Sequence, residues 1–178
     1  MSDLAIITDG TAAAVGLVLG LISMAADHCR TDGCLAPVAT ESRTELSVGQ
    51  VVFDGRAIGE EAYLRRLTGL QRGPFQLGWG ASVSDQGALW AGLGAITTYT
   101  SSDQRWFVQF HLMPGLYAAG RGPDLGGPVA FRSGIDLGWQ HPDGLRISLA
   151  VDHRSNAGLY DRNPGLETVR IGVSVPLR

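Results

Sequence analysis

Charge is scarce in this chain: 17% of its 178 residues are Asp, Glu, Lys or Arg, and the formal net charge is −3. No basic cluster offsets that balance, which leaves nothing to track a nucleic-acid backbone. Cysteine is almost absent, with only Cys29 and Cys34, and no second set of ligands accompanies them and His28, so a zinc site is disfavoured. No segment repeats at a fixed period and no low-complexity run occurs, which sets aside solenoids and disordered linkers. From Glu45 onward no helical period is sustained, so a helical bundle is excluded. The glycine-rich loop Arg121-Gly122-Pro123-Asp124-Leu125-Gly126-Gly127 lacks the Lys-Ser/Thr of a phosphate-binding loop and reads as a turn.

What remains is an apolar, glycine-rich chain, 44% hydrophobic with 25 glycines, long enough for one domain and suited to tightly turned sheets. Its first segment stands apart. Ala12 to Ala26 is fifteen nearly unbroken apolar residues, short for a membrane helix but ordinary for the centre of a secretory signal. Ser23-Met24-Ala25 fits the small-x-small cleavage pattern. Met1 to Thr11 departs from it, carrying Asp3 and Asp9 where a basic flank is usual, as an uncleaved anchor or a misassigned start would. The expected division is a signal over 1–25, a short segment over 26–44 and a β-domain over 45–178. In an exported chain Cys29 and Cys34 are expected to close a small disulfide loop.

Short β-branched and aromatic runs follow, divided by Gly, Pro, Asp and Ser, the pattern of an antiparallel meander. They fall near 45–54, 58–69, 74–84, 87–98, 104–113, 115–120 leading past a loop into 127–140, 144–155 and 166–177, with eight strands the natural closure. Met113-Pro114-Gly115 reads as a turn or kink, and Tyr63-Leu64-Arg65-Arg66-Leu67 could by itself be helical. Late in the chain Phe131, Ile135, Leu137 and Trp139 oppose Arg132, Asp136 and Gln140. Leu145, Ile147, Leu149 and Val151 oppose Arg146, Ser148, Ala150 and Asp152; Val169 to Leu177 oppose Thr168, Arg170, Gly172 and Ser174. A soluble sandwich would turn the apolar faces inward; an outer-membrane barrel would turn them to lipid and enclose the charges. Strands of about ten residues favour the bilayer crossing. Trp79, Trp90, Trp106, Trp139 and Tyr160 are candidates for interfacial anchors or for a buried core.

His153 and Ser155 lie two residues apart, on one face of a strand, and Glu167 follows twelve residues after the serine with the parity of the next apolar run. A nucleophile, a base and a carboxylate are recognised by geometry and not by chain order. In a sandwich that parity buries all three; in a barrel it sets them outward at a strand end, where acyl chains meet head groups.

The segment His153-Arg154-Ser155-Asn156-Ala157-Gly158 with Asn163-Pro164-Gly165-Leu166-Glu167 resembles the lipid A 3-O-deacylases (the PagL family), eight-stranded antiparallel outer-membrane β-barrels. The resemblance implies Ser155 as nucleophile, His153 as general base and Glu167 as the residue orienting the histidine. It implies oxyanion stabilisation at Asn163 and the backbone N–H of Gly158, and no metal or cofactor. The substrate it implies is lipopolysaccharide, losing the ester-linked 3-hydroxyacyl chain of lipid A in the outer membrane. Two copies pairing in the membrane is the one protein partnership considered. The chain ends Val175-Pro176-Leu177-Arg178, where the family's barrels end on an aromatic residue, a departure that bears on assembly. Two other functions compete: a non-catalytic envelope barrel, and a soluble exported binding module. Arg154 reads as a head-group contact or an interior side chain, and His111 and His141 as structural.

Overall fold

The computed structural model describes residues 10–31 and 33–177; the acidic flank Met1–Asp9 lies outside them. A helix α1, Thr11–Ser23, runs into a π-helical turn, Met24–His28. Nine strands follow: β1 Pro37–Ala39, β2 Arg43–Phe53, β3 Arg56–Arg72, β4 Phe75–Ser84, β5 Leu89–Thr100, β6 Trp106–Ala118, β7 Val129–Gln140, β8 Arg146–Ser155 and β9 Leu166–Pro176. Each of β2 to β9 pairs antiparallel with its sequence neighbours, and β9 returns to β2 in the register Leu46↔Val173 and Gln50↔Val169, so these eight strands close a barrel. Strand β1 extends one edge by pairing with the end of β3. Closure removes every open edge among the eight.

The faces decide between sandwich and barrel. Eighteen large apolar side chains on the strands point outward and exposed, Leu46, Val48, Leu93, Leu116, Leu149 and Ile171 among them. Leaving each in water costs roughly 1.5–3 kcal/mol, a sum on the order of tens of kcal/mol against a typical net stability of about 5–15. The outward band therefore matches hydrocarbon, and the soluble reading fails on magnitude.

The interior is polar and paired. Glu45, Glu61, Asp136 and Asp152 meet Arg65, Arg132, Arg154 and Arg170, all buried. Arg170 bridges three of them: Glu45 at 2.5 Å, Asp136 at 2.5 Å and Asp152 at 2.9 Å. Arg65 reaches Glu45 at 2.6 Å and Asp136 at 3.0 Å. All fourteen cations of the chain are arginines, and the guanidinium fork suits this multiple pairing better than a lysine point charge. Buried charge persists only when paired and hydrogen-bonded. His111 stands inside this network, 3.6 Å from Asp136 and 3.4 Å from Asp152. Toward the long-loop end an apolar layer of Tyr63, Trp90, Met113, Tyr117, Leu125 and Leu166 closes the interior.

The structure decides between the readings that the sequence left open. Tyr63–Leu67 is strand, within the run expected near 58–69, with Tyr63, Arg65 and Leu67 inward. Met113-Pro114-Gly115 makes no turn: β6 runs straight through it, with Pro114 opposite Phe131. Proline has no N–H to donate, and the pairing with β5 is interrupted there, between Gly92↔Gly115 and Ala95↔Leu112. Trp90 is no interfacial anchor; it is 1% exposed and its indole N–H donates to the Ala130 carbonyl inside the barrel. Trp79 and Trp106 do face outward, and Trp106 sits opposite Trp139 at the end with the 101–105 turn. His141 is on an exposed turn, 2.7 Å from Asp143.

Helix α1 lies on the outer surface, with Ala12, Gly16 and Gly20 buried and Val15, Leu17, Val18 and Ile22 exposed. A Cβ at Gly16 would stand 2.5 Å from Phe110 Cβ, and one at Gly20 would stand 2.6 Å from the Phe75 ring, so only glycine allows this approach. The stretch Thr11–His28 is long and apolar enough to cross a membrane, a property that secretory signals and anchors share. Cys29 and Cys34 are joined as a disulfide, which removes them as metal ligands beside His28.

Candidate active site

The site lies on the outer face where β7, β8 and β9 run side by side, and the register makes it legible row by row. From the short-turn end upward, the outward rows are Trp139–Ile147–Val173, Leu137–Leu149–Ile171 and Ile135–Val151–Val169, all apolar. The next row is Ser133–His153–Glu167, and Ser155 follows opposite Phe131. Polarity thus breaks into the apolar band abruptly, near the end that carries the longer loops 119–128 and 156–165. In outer-membrane barrels short turns face the periplasm and long loops the exterior.

His153 and Glu167 are direct cross-strand partners, which brings Cβ atoms to about 4.5–5.5 Å. The Nδ1 of His153 stands 3.3 Å from Glu167 Oε1, both side chains partly buried. A proton on Nδ1 donated to that carboxylate leaves Nε2 with its lone pair free, the tautomer a general base requires. Gly165 makes room for the ring: a Cβ there would lie 2.6 Å from His153 Cε1 and 3.3 Å from Glu167 Oε1.

Ser155 shares the outward face with His153, and its hydroxyl has no hydrogen bond to His153 or to any other described residue. Two residues along a strand are roughly 6.5–7 Å apart, so closing the pair takes a rotamer swing of the ring or hydroxyl; catalytic hydrogen bonds are commonly long without substrate. The residue between them is an anchor. Arg154 points inward, 3% exposed, and its Nη2 donates to Glu61 Oε2 at 2.6 Å, so it is an interior side chain and not a head-group contact. Glu61 also accepts from Ser82 Oγ at 2.8 Å and lies 2.8 Å from Arg132. The interior network therefore grips the strand end that carries base and hydroxyl.

The loop after Ser155 is held by Asn156, which is fully buried. Its Nδ2 donates to Leu125 O at 2.6 Å and to Arg162 O at 2.5 Å, and its Oδ1 accepts from the Gly158 N–H at 2.9 Å. Asn163 Oδ1 accepts from the Asn156 backbone N–H at 2.9 Å, which fixes the Asn163 amide over the start of the loop. Asn163 thus bonds the backbone of the residue that follows Ser155, and the Gly158 N–H is engaged by Asn156 Oδ1. Sequence reading assigned no role to Asn156, Gly165, Ser133 or the Glu61–Arg154 link. The detectable signal was Ser133, a lone polar residue in the outward series Val129, Phe131, Ile135, Leu137 and Trp139. Among the described residues no group of three or more His, Cys, Asp or Glu is set to hold a metal.

The chain is a closed membrane-type barrel with an outward imidazole–carboxylate pair and a neighbouring serine near its long-loop end. The sequence profile of the lipid A 3-O-deacylase (PagL) family matches residues 58–176, and the chain belongs to that family. All five expected site residues fall in the matched span. Among solved structures, the outer membrane enzyme PagL aligns at a TM-score of 0.63 and 19% identity, over 76% of this chain and 99% of its own. De novo designed transmembrane β-barrels align at 0.55 and 12%, covering 79% of this chain and 98% of theirs. Neisserial surface protein A aligns at 0.53 and 9%, covering 80% and 99%. At these identities the likeness is one of fold. No curated protein sequence matches the chain.

Proposed function

We propose that this protein is a serine esterase of the outer membrane that removes the ester-linked 3-hydroxyacyl chain at position 3 of lipid A. Membership of the lipid A 3-O-deacylase family supports the substrate, and the observation that carries the mechanism is the outward row of His153 and Glu167 beside Ser155. A substrate held in the bilayer can reach catalytic groups only on the lipid-facing surface. The outward row of His153 and Glu167, with Ser155, supports that reading.

In the proposed cycle His153 Nε2 takes the Ser155 proton as Oγ attacks the ester carbonyl. A serine hydroxyl is a poor nucleophile without such a base. Glu167 holds the Nδ1 proton and stabilises the imidazolium. The Asn163 NH2 donates to the developing oxyanion, and the Gly158 N–H joins it by leaving Asn156 Oδ1; each such donor is worth roughly 3–4 kcal/mol. The imidazolium protonates the departing sugar oxygen, and water then hydrolyses acyl-Ser155. No metal or cofactor takes part in these steps.

The test is purified barrel in detergent micelles with lipid A. The proposal predicts release of free 3-hydroxy fatty acid from the ester at position 3, with amide-linked chains left in place. Release of amide-linked chains, or of none by barrel shown to be folded, contradicts it.

A further inference from the structure

Ser133 is the one member of the polar row with no part in the cycle above. It lies on β7 directly opposite His153, on the face that otherwise carries Phe131, Ile135 and Leu137. It is 4% exposed, although its parity is outward, and its side chain makes no hydrogen bond to a described residue. A lone hydroxyl in an otherwise apolar outward series breaks the alternation of the strand, and local rules are broken chiefly at functional sites. The orientation of the base says what the hydroxyl is for. Nδ1 is turned toward Glu167 on β9, which leaves Nε2 without a partner among the described residues, and Ser133 is the residue in direct register with His153 on the β7 side.

Deacylation poses a problem peculiar to this site. The acyl-enzyme faces lipid, where water is scarce, yet its hydrolysis needs one water within reach of both Nε2 and the acyl carbonyl. We propose that Ser133 holds that water. Its hydroxyl and His153 Nε2 together supply two polar partners, the minimum that retains an ordered water. The step balances as follows. The water oxygen bonds to the acyl carbon while its proton passes to Nε2; the acyl C–Oγ bond of Ser155 then breaks, Oγ regains a proton from Nε2, and a 3-hydroxy acid leaves. Ser133 is a positioning residue in this step and takes no part in acylation. The inference rests on the Ser155 acyl-enzyme reading.

Ser133→Ala, Ser133→Val and Ser133→Thr, each checked for heat-modifiable gel mobility as a sign of the folded barrel, test it. Misplacing a reacting water costs roughly 10–100-fold in rate. Ser133→Ala and Ser133→Val should lower kcat by that factor and lower KM in parallel, leaving kcat/KM near wild type. Intact-mass spectra of quenched reactions should then show one hydroxyacyl adduct on the protein, mapped to Ser155. Ser133→Thr, isosteric with valine but bearing the hydroxyl, should restore turnover. Wild-type kcat without an adduct in both alanine and valine variants overturns the inference, as does a fall in kcat/KM with no adduct. An adduct that persists with Ser155→Ala overturns the triad assignment itself, a separate outcome.

Discussion

His153 Nδ1 stands 3.3 Å from Glu167 Oε1 across the β8–β9 pair, two outward side chains in direct register on an otherwise lipid-facing surface. In the proposed cycle the carboxylate sets the imidazole tautomer. Glu167→Gln should lower kcat by roughly 10²–10⁴-fold, since the amide can present its NH2 to Nδ1 and favour the wrong tautomer. Steady-state kinetics with heat-modifiable mobility check this; undiminished turnover would remove Glu167 from the mechanism.

Gly165 is the floor on which that imidazole rests. In Gly165→Ala the new Cβ would lie 2.6 Å from His153 Cε1, displacing the ring. Displacement of a catalytic group by about 1 Å can cost on the order of 10²-fold. The barrel should form normally, because Gly165 precedes β9 and holds no strand pairing.

Asn163 has two ends with two tasks, and substitution separates them. Asn163→Asp keeps the Oδ1 acceptor for the Asn156 N–H but loses the NH2 donor. Both Asn163→Asp and Asn163→Ala should lower kcat by roughly 10²–10³-fold, the cost of one oxyanion donor. A fully active Asn163→Asp enzyme would show that the residue serves only the loop.

Glu61 carries the load between barrel interior and site. Glu61→Ala leaves Arg132 and Arg154 without their shared carboxylate, and breaking one side of a buried pair costs about 3–5 kcal/mol. Urea unfolding in lipid vesicles should register that loss, with activity falling as the β8 end loosens. Unchanged stability would mean that the charges repartner within the network.

The alternation of side chains along single strands made much of this visible beforehand. It placed His153, Ser155 and Glu167 on one face and Arg132, Asp136, Arg146, Asp152 and Arg170 on the other. Alternation carries no register, however, so the partners were hidden. Glu61 and Arg154 are 93 residues apart in sequence, and nothing local joins them. Trp90 reads like Trp79 or Trp106 until neighbouring strands show which way the barrel curls. Pro114 signals a break that the β5 glycines absorb, and Ser133 gains meaning only once β7 lies against β8. Asn156 has the composition of a turn residue, and its bond to Leu125 O depends on a second loop.

The central claim is that Ser155 breaks the 3-O-acyl ester of lipid A. It is tested most directly by mass spectrometry of lipid A from cells expressing the wild-type protein or Ser155→Ala, with both confirmed folded in the outer membrane. Loss of one hydroxyacyl chain with wild type, and none with Ser155→Ala, is the predicted result. Equal loss in both would deny Ser155 its role, and loss in neither would contradict the activity.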